Sequence, residues 1–420
     1  MGTLGVIFFT VLVFFVIVTI HEWGHFYFAK RAGILVREFA IGFGPKLFSV
    51  KKGETRYTLR LIPAGGFVRM AGEDPELVEV QPGQTIAVRM KDGAVTRMYL
   101  DRLDDRSNTV RGEVVSLDLE HKLVIRLDIE GDVEEFSVHP QALIITRGQE
   151  TQIAPYDRQF GSKPVRKRAM AIFAGPMMNF ILAFVLFGVY VQLAGVPEKL
   201  MIGEATKGMP AHAAKLQQGD VIYAINGEPI GTDFERMIDL IGESVGKPVK
   251  LDIVRGGKSF TVTVTPVADD HGVGKIGIAP MYETRSATIG ETVTKSATLM
   301  KDMTVLIFDG FKMLVTGQFK LDDLGGPVRT AEMTSQIARQ GIDQLTSWTA
   351  LLSLYLGIFN LLPIPALDGS RLIFLGLEAV RRRPIDPNKE SMVHFIGFAM
   401  LMLLMVVVTY NDILRLVRGE

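Results

Sequence analysis

Four long apolar segments constrain the fold of this chain more than any other feature of its sequence. Each approaches the roughly 20 residues that a helix needs to cross the hydrocarbon core of a bilayer. Because lipid offers no partners to backbone polar groups, such segments cross as helices. The third segment is interrupted by Pro363 and Pro365, which is tolerated at membrane depth where the chain lines a protected cavity. We therefore predict a polytopic α-helical membrane protein with about four transmembrane helices, at approximately residues 4–29, 170–193, 345–362 and 392–410.

The composition excludes several classes of site and partner. Of the 420 residues 48% are hydrophobic, and 46 basic residues balance 46 acidic ones. We therefore expect no nucleic-acid partner and no nucleotide. The chain has no cysteine, so any zinc ion must be held by imidazole and carboxylate groups. The N-terminus is apolar without a basic leader or a cleavage site, which predicts a retained helix rather than a removed signal peptide.

The basic residues predict how the chain lies in the membrane. Clusters follow the first apolar segment and precede the second and fourth, and cytoplasmic loops carry such an excess of Lys and Arg. All of them fall on one side if the N-terminus is outside, with residues 33–168 in the cytoplasm and 198–345 outside the cell. Arg415 and Arg418 count mildly against this orientation. The clusters are Lys30, Arg31 and Arg37, then Lys163–Arg168, and Arg381–Arg383.

Short alternating runs and turn signals divide the rest of the chain into small units. Residues 76–150 contain β-like runs separated by Gly-containing turns, and 198–280 form a second compact unit. We predict transmembrane helix 1 (1–30), a membrane-associated loop with a β-hairpin (31–75), a cytoplasmic β-rich insert (76–160), a basic segment with transmembrane helix 2 (161–197), an extracytoplasmic domain (198–282), amphipathic helices near the membrane (283–344), transmembrane helix 3 (345–380), and transmembrane helix 4 with the C-terminus (381–420).

The first apolar segment contains the sequence HEWGH, which is a candidate metal site. On a helix His21 and His25 lie on one face, one turn apart, so they can chelate one ion. Glu22 stands beside a ligand, where it can take a proton from a water molecule at the metal. Alternatively, these are polar residues near a helix end that neighbours or snorkelling satisfy. Against that, a charged side chain at the bilayer centre costs ~2.5–3.5 kcal/mol, and apolar residues continue beyond the motif.

Asp368, in the sequence NLLPIPALDG, is the candidate third ligand. It follows two prolines in an apolar segment, and Gly369 permits a sharp turn, so we expect an irregular loop that directs the carboxylate into the bundle. Two histidines and one aspartate leave a fourth position open for water, as in catalytic zinc sites. Taken alone, the LDG sequence also fits an ordinary turn at a helix end.

These two motifs, on separate apolar segments, resemble the site-2 protease family of intramembrane zinc metalloproteases. Four further stretches are similar to that family, and the resemblance covers almost the whole chain but is weaker over 76–150. One PDZ-like unit and a β-rich insert are typical of a branch from Gram-positive bacteria, whereas members with tandem PDZ units are more distant. The stretches are FAIGFGPKLF (39–48), LIPAGGFVRMAGE (61–73), FAGPMMNF (173–180) and GGPV (325–328).

The resemblance implies an endopeptidase with a Zn²⁺ cofactor that hydrolyses peptide bonds within transmembrane segments of single-span membrane proteins in the lipid bilayer. It implies the second cut in regulated proteolysis of an anti-sigma factor and the clearance of remnant signal peptides. Glu22 would be the general base and later the proton donor. Asn360 is a candidate for contact with the substrate amide or the oxyanion, or it caps a helix end. A catalytically inactive scaffold that binds peptides, or a metal transporter, are the alternatives.

A predicted hairpin is the candidate substrate-binding element. The sequence ETRYTLRLIPAGGFVRM indicates a strand, a turn and a second strand within 56–69. The family's re-entrant hairpin implies that its edge pairs with an unwound substrate, although an ordinary soluble hairpin fits the same pattern. Asn179 could contact the substrate or the metal-site loop, or pack two helices. The candidate hairpin residues are Arg60, Gly65, Gly66, Phe67, Val68 and Arg69.

The extracytoplasmic segment resembles a bacterial PDZ domain through GMPAHAAKLQQGDVIYAINGEPI, although Lys215 occupies a position where glycine is common. The resemblance implies either a loop that captures a peptide carboxylate or a steric filter against substrates with bulky outer portions. We favour the filter, because it explains cleavage only after a first protease has removed an ectodomain. The candidate carboxylate loop is Gly274, Lys275, Ile276, Gly277 and Ile278.

Overall fold

A computed structural model of the protein describes residues 3–73, 80–269, 272–318 and 325–418. The chain forms two compact units, which are described separately. The membrane unit comprises Met1–Leu186 and Met300–Glu420, and the second unit comprises Phe187–Leu299. The second unit is longer at both ends than the predicted domain of 198–282.

In these ranges the chain forms nine α-helices, and long helices dominate the membrane unit. The helices are α1 (Thr3–Arg31), α2 (Val165–Ala194), α3 (Pro210–Ala213), α4 (Phe234–Gly242), α5 (Ile289–Val315), α6 (Pro327–Gln340), α7 (Ile342–Asn360), α8 (Asp368–Arg381) and α9 (Pro387–Arg418).

Three of the described helices are long and apolar enough to cross a membrane: α1 over Ile7–Arg31, α2, and α9 over Lys389–Arg418. The predicted third crossing corresponds to α7, which has 19 residues but does not reach the same mean hydropathy. Its first turns carry Asp343 and several amide and hydroxyl side chains, which dilute the apolar residues. The count of four transmembrane helices thus stays a prediction.

Close packing against α1 determines the interior of the membrane unit. Its N-terminal half packs against α6 and α7, where Val13 and Ile17 contact Ala338 and Leu345. Its middle contacts α2 so closely that a Cβ atom on Gly24 would lie 2.7 Å from the carbonyl carbon of Ala174. These contacts bury one side of α1 around the HEWGH motif.

The strands β1 (Val36–Lys52) and β2 (Thr55–Met70) form a sheet next to α1. The chain turns between Lys52 and Thr55, at Gly53, which has a φ of +62°. The segment Val36–Ile41 then lies between two arms of β2, because Glu38 stands opposite both Arg56 and Arg69.

This arrangement corrects the predicted hairpin within 56–69. The two arms of β2 do not pair with each other; both pair with Val36–Ile41. The reason is that this largely buried segment supplies backbone hydrogen-bond partners to both arms at once. The second arm, Gly66–Met70, has no strand on its other side within the described chain, so it is a free sheet edge.

Six strands form within the predicted insert, in the order β4-β3-β5-β6-β7-β8, and a further pairing of β4 with β7 closes five of them into a barrel. Ile86, Met98, Ile125 and Leu127 lie in its core. The strands are β3 (Thr85–Lys91), β4 (Ala94–Tyr99), β5 (Val110–Asp118), β6 (Val124–Ile129), β7 (Asp132–Thr146) and β8 (Gln149–Gln152).

Glu54, in the turn between β1 and β2, connects the membrane-adjacent sheet to the insert. It accepts hydrogen bonds from Gln152 of β8 at 2.9 Å and from the Arg158 guanidinium at 2.5 and 2.8 Å. These bonds to Arg158 lower the pKa of the Glu54 carboxyl to about 2. The insert therefore fixes the outer turn of the sheet through one carboxylate.

The second unit contains a sheet of order β13-β12-β10-β9-β16 with β11 beside β10, and a two-stranded sheet of β14 and β15. Helix α4 packs on the larger sheet through Met237 and Ile241. Lys215 has a φ of +58°, which explains why glycine is common at its position. The strands are β9 (Val196–Ala205), β10 (Val221–Ile225), β11 (Glu228–Pro229), β12 (Val249–Arg255), β13 (Lys258–Val264), β14 (Val267–Ala268), β15 (Gly274–Lys275) and β16 (Ile278–Arg285).

The candidate carboxylate loop of the second unit runs from β15 into β16, which is an edge strand of the larger sheet. Ile276 is buried in the core of the unit, and its carbonyl accepts a hydrogen bond from the N–H of Ala211. Gly277 has a φ of +76° and lies against Met209.

The amphipathic segment predicted over 283–344 contains α5 and α6, and α5 exposes Val305, Leu306 and Phe308.

Candidate metal centre

His21, His25 and Asp368 come together inside the membrane unit. The two histidine Nε2 atoms are 3.2 Å apart, and each lies 3.4 Å from Oδ2 of Asp368. For a tetrahedral zinc ion with bonds of 2.0–2.1 Å, neighbouring ligand atoms stand about 3.3–3.4 Å apart. The three donor atoms thus form a triangle of the size that one zinc ion requires.

Helix α1 supplies two of these donors and the adjacent acid. His21, Glu22 and His25 are all buried, although the helix is otherwise apolar. The two imidazole rings are one turn apart, with centroids 4.8 Å from each other and planes at 83°. The spacing of four residues therefore places both imidazoles on one face of the helix, as the sequence predicts.

The third donor comes from the segment between α7 and α8. Helix α7 ends at Asn360, and Asp368 is the first residue of α8, so the carboxylate lies in a helical first turn and not in the irregular loop that we predicted. The chain reaches this position through Ala366, which has a φ of +76° and whose N–H donates to Nδ1 of His394 at 3.1 Å. A Cβ atom on Gly369 would collide with the carbonyl groups of the preceding turn, which explains the glycine after Asp368.

One face of α2 packs directly behind the two histidines. The carbonyl of Ala171 lies 2.9 Å from Nδ1 of His25, and the amide of Asn179 lies 3.3 Å from Nδ1 of His21. Between them, a Cβ atom on Gly175 would lie 2.5 Å from Cε1 of His25. The sequence FAGPMMNF therefore forms one wall of the site, and Gly175 leaves room for the imidazole of His25.

The chemistry of the donor set fits zinc. The Nδ1–H of His25 donates to a backbone carbonyl, so the lone pair of its Nε2 is directed toward the other donors. Oδ2 of Asp368 is buried and makes no hydrogen bond, which is costly unless a cation is present. A buried site of two imidazoles and one carboxylate leaves a fourth position of the tetrahedron for water or substrate.

The free edge of the β1–β2 sheet passes next to the acid of the site. A Cβ atom on Gly66 would lie 2.7 Å from Cγ of Glu22 and 2.7 Å from the carbonyl oxygen of Ala40. Only a residue without a side chain fits between the strand and the helix here. Gly66 thus brings the edge strand into contact with Glu22.

Two ion pairs hold α8, the helix that begins with Asp368. The Arg168 guanidinium at the start of α2 donates to both carboxylate oxygens of Glu378, one of them at 3.0 Å. Arg371 pairs with Glu73, which follows β2. Because both pairs are largely shielded from solvent, removing one partner would leave a costly unpaired charge.

The remaining candidates on the sheet form a separate cluster. Glu38 is buried and pairs with Arg60 at 3.2 Å and with Arg69 at 3.8 Å. Both guanidinium groups lie over the ring of Phe67, at 5.1 and 5.6 Å from its centroid. Val68 packs against the core between α1 and β1. Gly65 has a φ of +135°.

Sequence reasoning missed two contributors to the metal site, Ala171 as a backbone acceptor and Gly175 as the gap for the imidazole, and it missed Glu38 as the partner of two arginines in the separate cluster. For the first two a signal was present. Residues 171, 175 and 179 are small or polar at a spacing of four in an apolar helix, which indicates one face in close contact.

Comparison with known proteins shows the family to which the chain belongs. The model of "Peptidase family M50" matches residues 9–404. The chain is 46% identical over 419 residues to "Zinc metalloprotease RasP" of Oceanobacillus iheyensis, covering 97% of this chain and 98% of the relative. It is 47% identical over 412 residues to "Regulator of sigma-W protease RasP" of Bacillus subtilis, covering 97% of both.

Two further similarities are more distant. "Probable protease eep" of Enterococcus faecalis is 39% identical over 417 residues, covering 96% of this chain and 98% of the relative. A crystal structure of the PDZ domain of an SdrC-like protein from Listeria innocua is 28% identical, with a TM-score of 0.19, and covers 20% of this chain and 96% of that domain.

The fold and these relatives define a multi-pass membrane protein and a regulated intramembrane zinc protease. The chain belongs to peptidase family M50, the site-2 proteases, as the sequence motifs predicted. It is accordingly a zinc metalloprotease with Zn²⁺ as its cofactor.

Proposed function

We propose that His21, His25 and Asp368 hold the zinc ion and that Glu22 is the general base for hydrolysis of a peptide bond within a transmembrane segment. The observation that carries this proposal is the buried triangle of donor atoms with sides of 3.2–3.4 Å. It lies between apolar helices, where an ionisable cluster without a function would be expensive.

The residues of the chain divide the chemistry among them. Bound zinc supplies a Lewis acid that polarises the scissile carbonyl and acidifies the attacking water. Glu22 accepts the proton of that water and later delivers it to the leaving amine. Asn360, at the end of α7, donates to the substrate backbone or to the developing oxyanion.

A helical substrate must be unwound before its carbonyl can be attacked, and extended backbone in lipid needs hydrogen-bond partners. We propose that the free edge Gly66–Met70 supplies them by β-addition. Its contact with Glu22 supports this, because a strand added at that edge would lie beside the acid. Gly65, Phe67 and the arginines over its ring would shape the same surface.

The names of the relatives and the predicted orientation support a proposal for the substrates. One relative is named as a regulator of sigma-W, so we propose an anti-sigma factor stub as a substrate, cut after a first protease has acted. Remnant signal peptides are a second single-span substrate. The N-terminus lies outside the cell and the zinc site near the cytoplasmic face. The second unit, as an extracytoplasmic PDZ domain, excludes substrates with bulky outer portions.

Purified protein and a single-span substrate with a shortened ectodomain test the proposal. Wild-type protein should bind one zinc ion per chain, and a chelator should abolish cleavage. His21→Ala and Asp368→Ala should lose zinc, whereas Glu22→Gln should keep zinc and lose cleavage. Cleavage that survives Glu22→Gln would refute the assigned mechanism, and zinc retained by both ligand variants would refute the assigned site.

A further inference from the structure

Asn179 is fully buried in the wall of the metal centre. Its Nδ2 lies 3.3 Å from Nδ1 of His21, and its Oδ1 is buried without a hydrogen-bond partner. Helix α7 packs behind the residue: the Ser353 hydroxyl donates to its backbone carbonyl at 2.9 Å, and a Cβ atom on Gly357 would lie 3.4 Å from the Cβ of Asn179. An apolar side chain would fill this space more cheaply, so the amide requires a reason.

The tautomer of His21 supplies that reason. Its Nε2 faces His25 and Asp368, so a lone pair at Nε2 for the metal requires the proton to be on Nδ1. Nδ1–H and an amide NH₂ are both donors and cannot bond to each other. The two ends of an amide have the same shape, and the hydrogen bonds determine its orientation. Turning the amide by 180° directs Oδ1 at His21 and gives the unpaired oxygen its donor.

Helix α2 also accepts the Nδ1–H of the other histidine, His25. Nδ1–H of His25 donates to the carbonyl of Ala171, eight residues before Asn179 on the same face of α2. We propose that Asn179 is a positioning residue: its amide oxygen accepts the Nδ1–H of His21, and α2 thereby holds both imidazoles in the tautomer and orientation that bind zinc. This inference rests on the proposed zinc site.

This role differs from the two that the sequence left open. A substrate contact needs an exposed amide, whereas Asn179 is 0% exposed and lies behind His21. A helix-packing role needs only the shape of the residue, and leucine has nearly that shape. The three roles therefore predict different behaviour of zinc affinity, which can be measured without any substrate.

The test is a competition with a chromophoric chelator for zinc in the detergent-purified full chain. Asn179→Leu should weaken zinc binding about 10- to 100-fold, the usual effect of losing such an outer hydrogen bond, while Asn179→Asp should stay within about threefold of wild type because it retains the acceptor. Ser353→Ala is the matched control: it removes the bond between α7 and α2 without touching His21, so its zinc affinity should equal that of wild type.

Thermal unfolding of the metal-free proteins shows whether each variant folds, and Asn179→Ala replaces the leucine variant if that one does not. Wild-type zinc affinity in the apolar variant, with or without a raised KM, would overturn the proposal. Equal losses in Ser353→Ala and Asn179→Leu would also overturn it, in favour of packing. A wrong assignment of the zinc site itself would be recognised separately, because His21→Ala would then retain zinc.

Discussion

Substitution of Gly175 by alanine should abolish zinc binding through a single methyl group. A Cβ atom at this position would lie 2.5 Å from Cε1 of His25 and 2.9 Å from Cε1 of His21, whereas ordinary contact begins near 3.4 Å. Nε2 of His25, the zinc donor itself, would lie closer still, so the His25 ring, or α2 as a whole, would have to move by at least about 0.9 Å. Metal-ligand distances tolerate about 0.2 Å, so the triangle of donors could not close on one ion.

Helix propensity acts in the opposite direction, which sharpens the prediction. Alanine favours a helix interior over glycine by about 0.8–1.0 kcal/mol, so the variant gains intrinsic helix stability in α2 while losing the metal. Gly188→Ala on the same helix is the control. It has the same propensity gain, but its Cβ would lie at ordinary contact distances of 3.5 Å from Ser296 and Thr292.

The assay measures zinc per chain by mass spectrometry and cleavage of the shortened single-span substrate in detergent. Gly188→Ala should retain one zinc ion and wild-type cleavage. Gly175→Ala should have less than about one tenth of the bound zinc and no measurable cleavage, while its metal-free form still unfolds in one cooperative transition. If Gly175→Ala binds zinc stoichiometrically and cleaves normally, the packing of α2 behind the histidines is not as described.

Three further outcomes follow from other contacts. Gly66→Ala should retain zinc but lower cleavage at least tenfold, because its Cβ displaces either the edge strand or Glu22; an unchanged rate would contradict their close approach. Glu54→Gln should lower the free energy of unfolding by about 1–3 kcal/mol at pH 7 in chemical denaturation, since it removes charge-assisted bonds to Arg158. In the wild type this stabilisation is present above pH 4.5 and is lost as the pH falls toward 2, because the pKa of Glu54 is lowered to about 2 on folding; the variant should lack that acid dependence. Asp220→Ala should lower the free energy of unfolding of the second unit by about 1–3 kcal/mol in chemical denaturation, because it removes the bonds of a fully buried carboxylate to the partly exposed guanidinium of Arg255.

The metal site could be predicted from the sequence because its motifs are short and because ionisable side chains are costly within an apolar segment. The spacing of His21 and His25 determines their common face on any helix, and three unpartnered polar groups in an apolar segment are expensive. Asp368 could be paired with them because it is an acid in an interrupted apolar segment. The absence of cysteine limited the ligands to imidazole and carboxylate.

Other features depended on contacts between distant segments, which no local pattern encodes. The prediction of a simple hairpin over 56–69 was wrong because Val36–Ile41 inserts between its arms, and alternation along a strand does not specify its partner. The position of Asp368 in the first turn of α8 depends on close approach at Gly369. Among the described helices, hydropathy identifies three that could cross a membrane and leaves out α7, whose first turns are too polar.

By itself the sequence determined that this is a membrane protein with a zinc-binding motif, because the bilayer penalises every ionisable residue without a partner. The tertiary structure decided how the motif becomes a site. It placed Asp368 at 3.4 Å from two histidines that lie more than 340 residues away in the chain. It also placed α2 behind those histidines, where Gly175 leaves room for a ring and Asn179 faces Nδ1 of His21. Orientation of a metal ligand depends on tenths of an ångström, and only packed helices fix positions that closely.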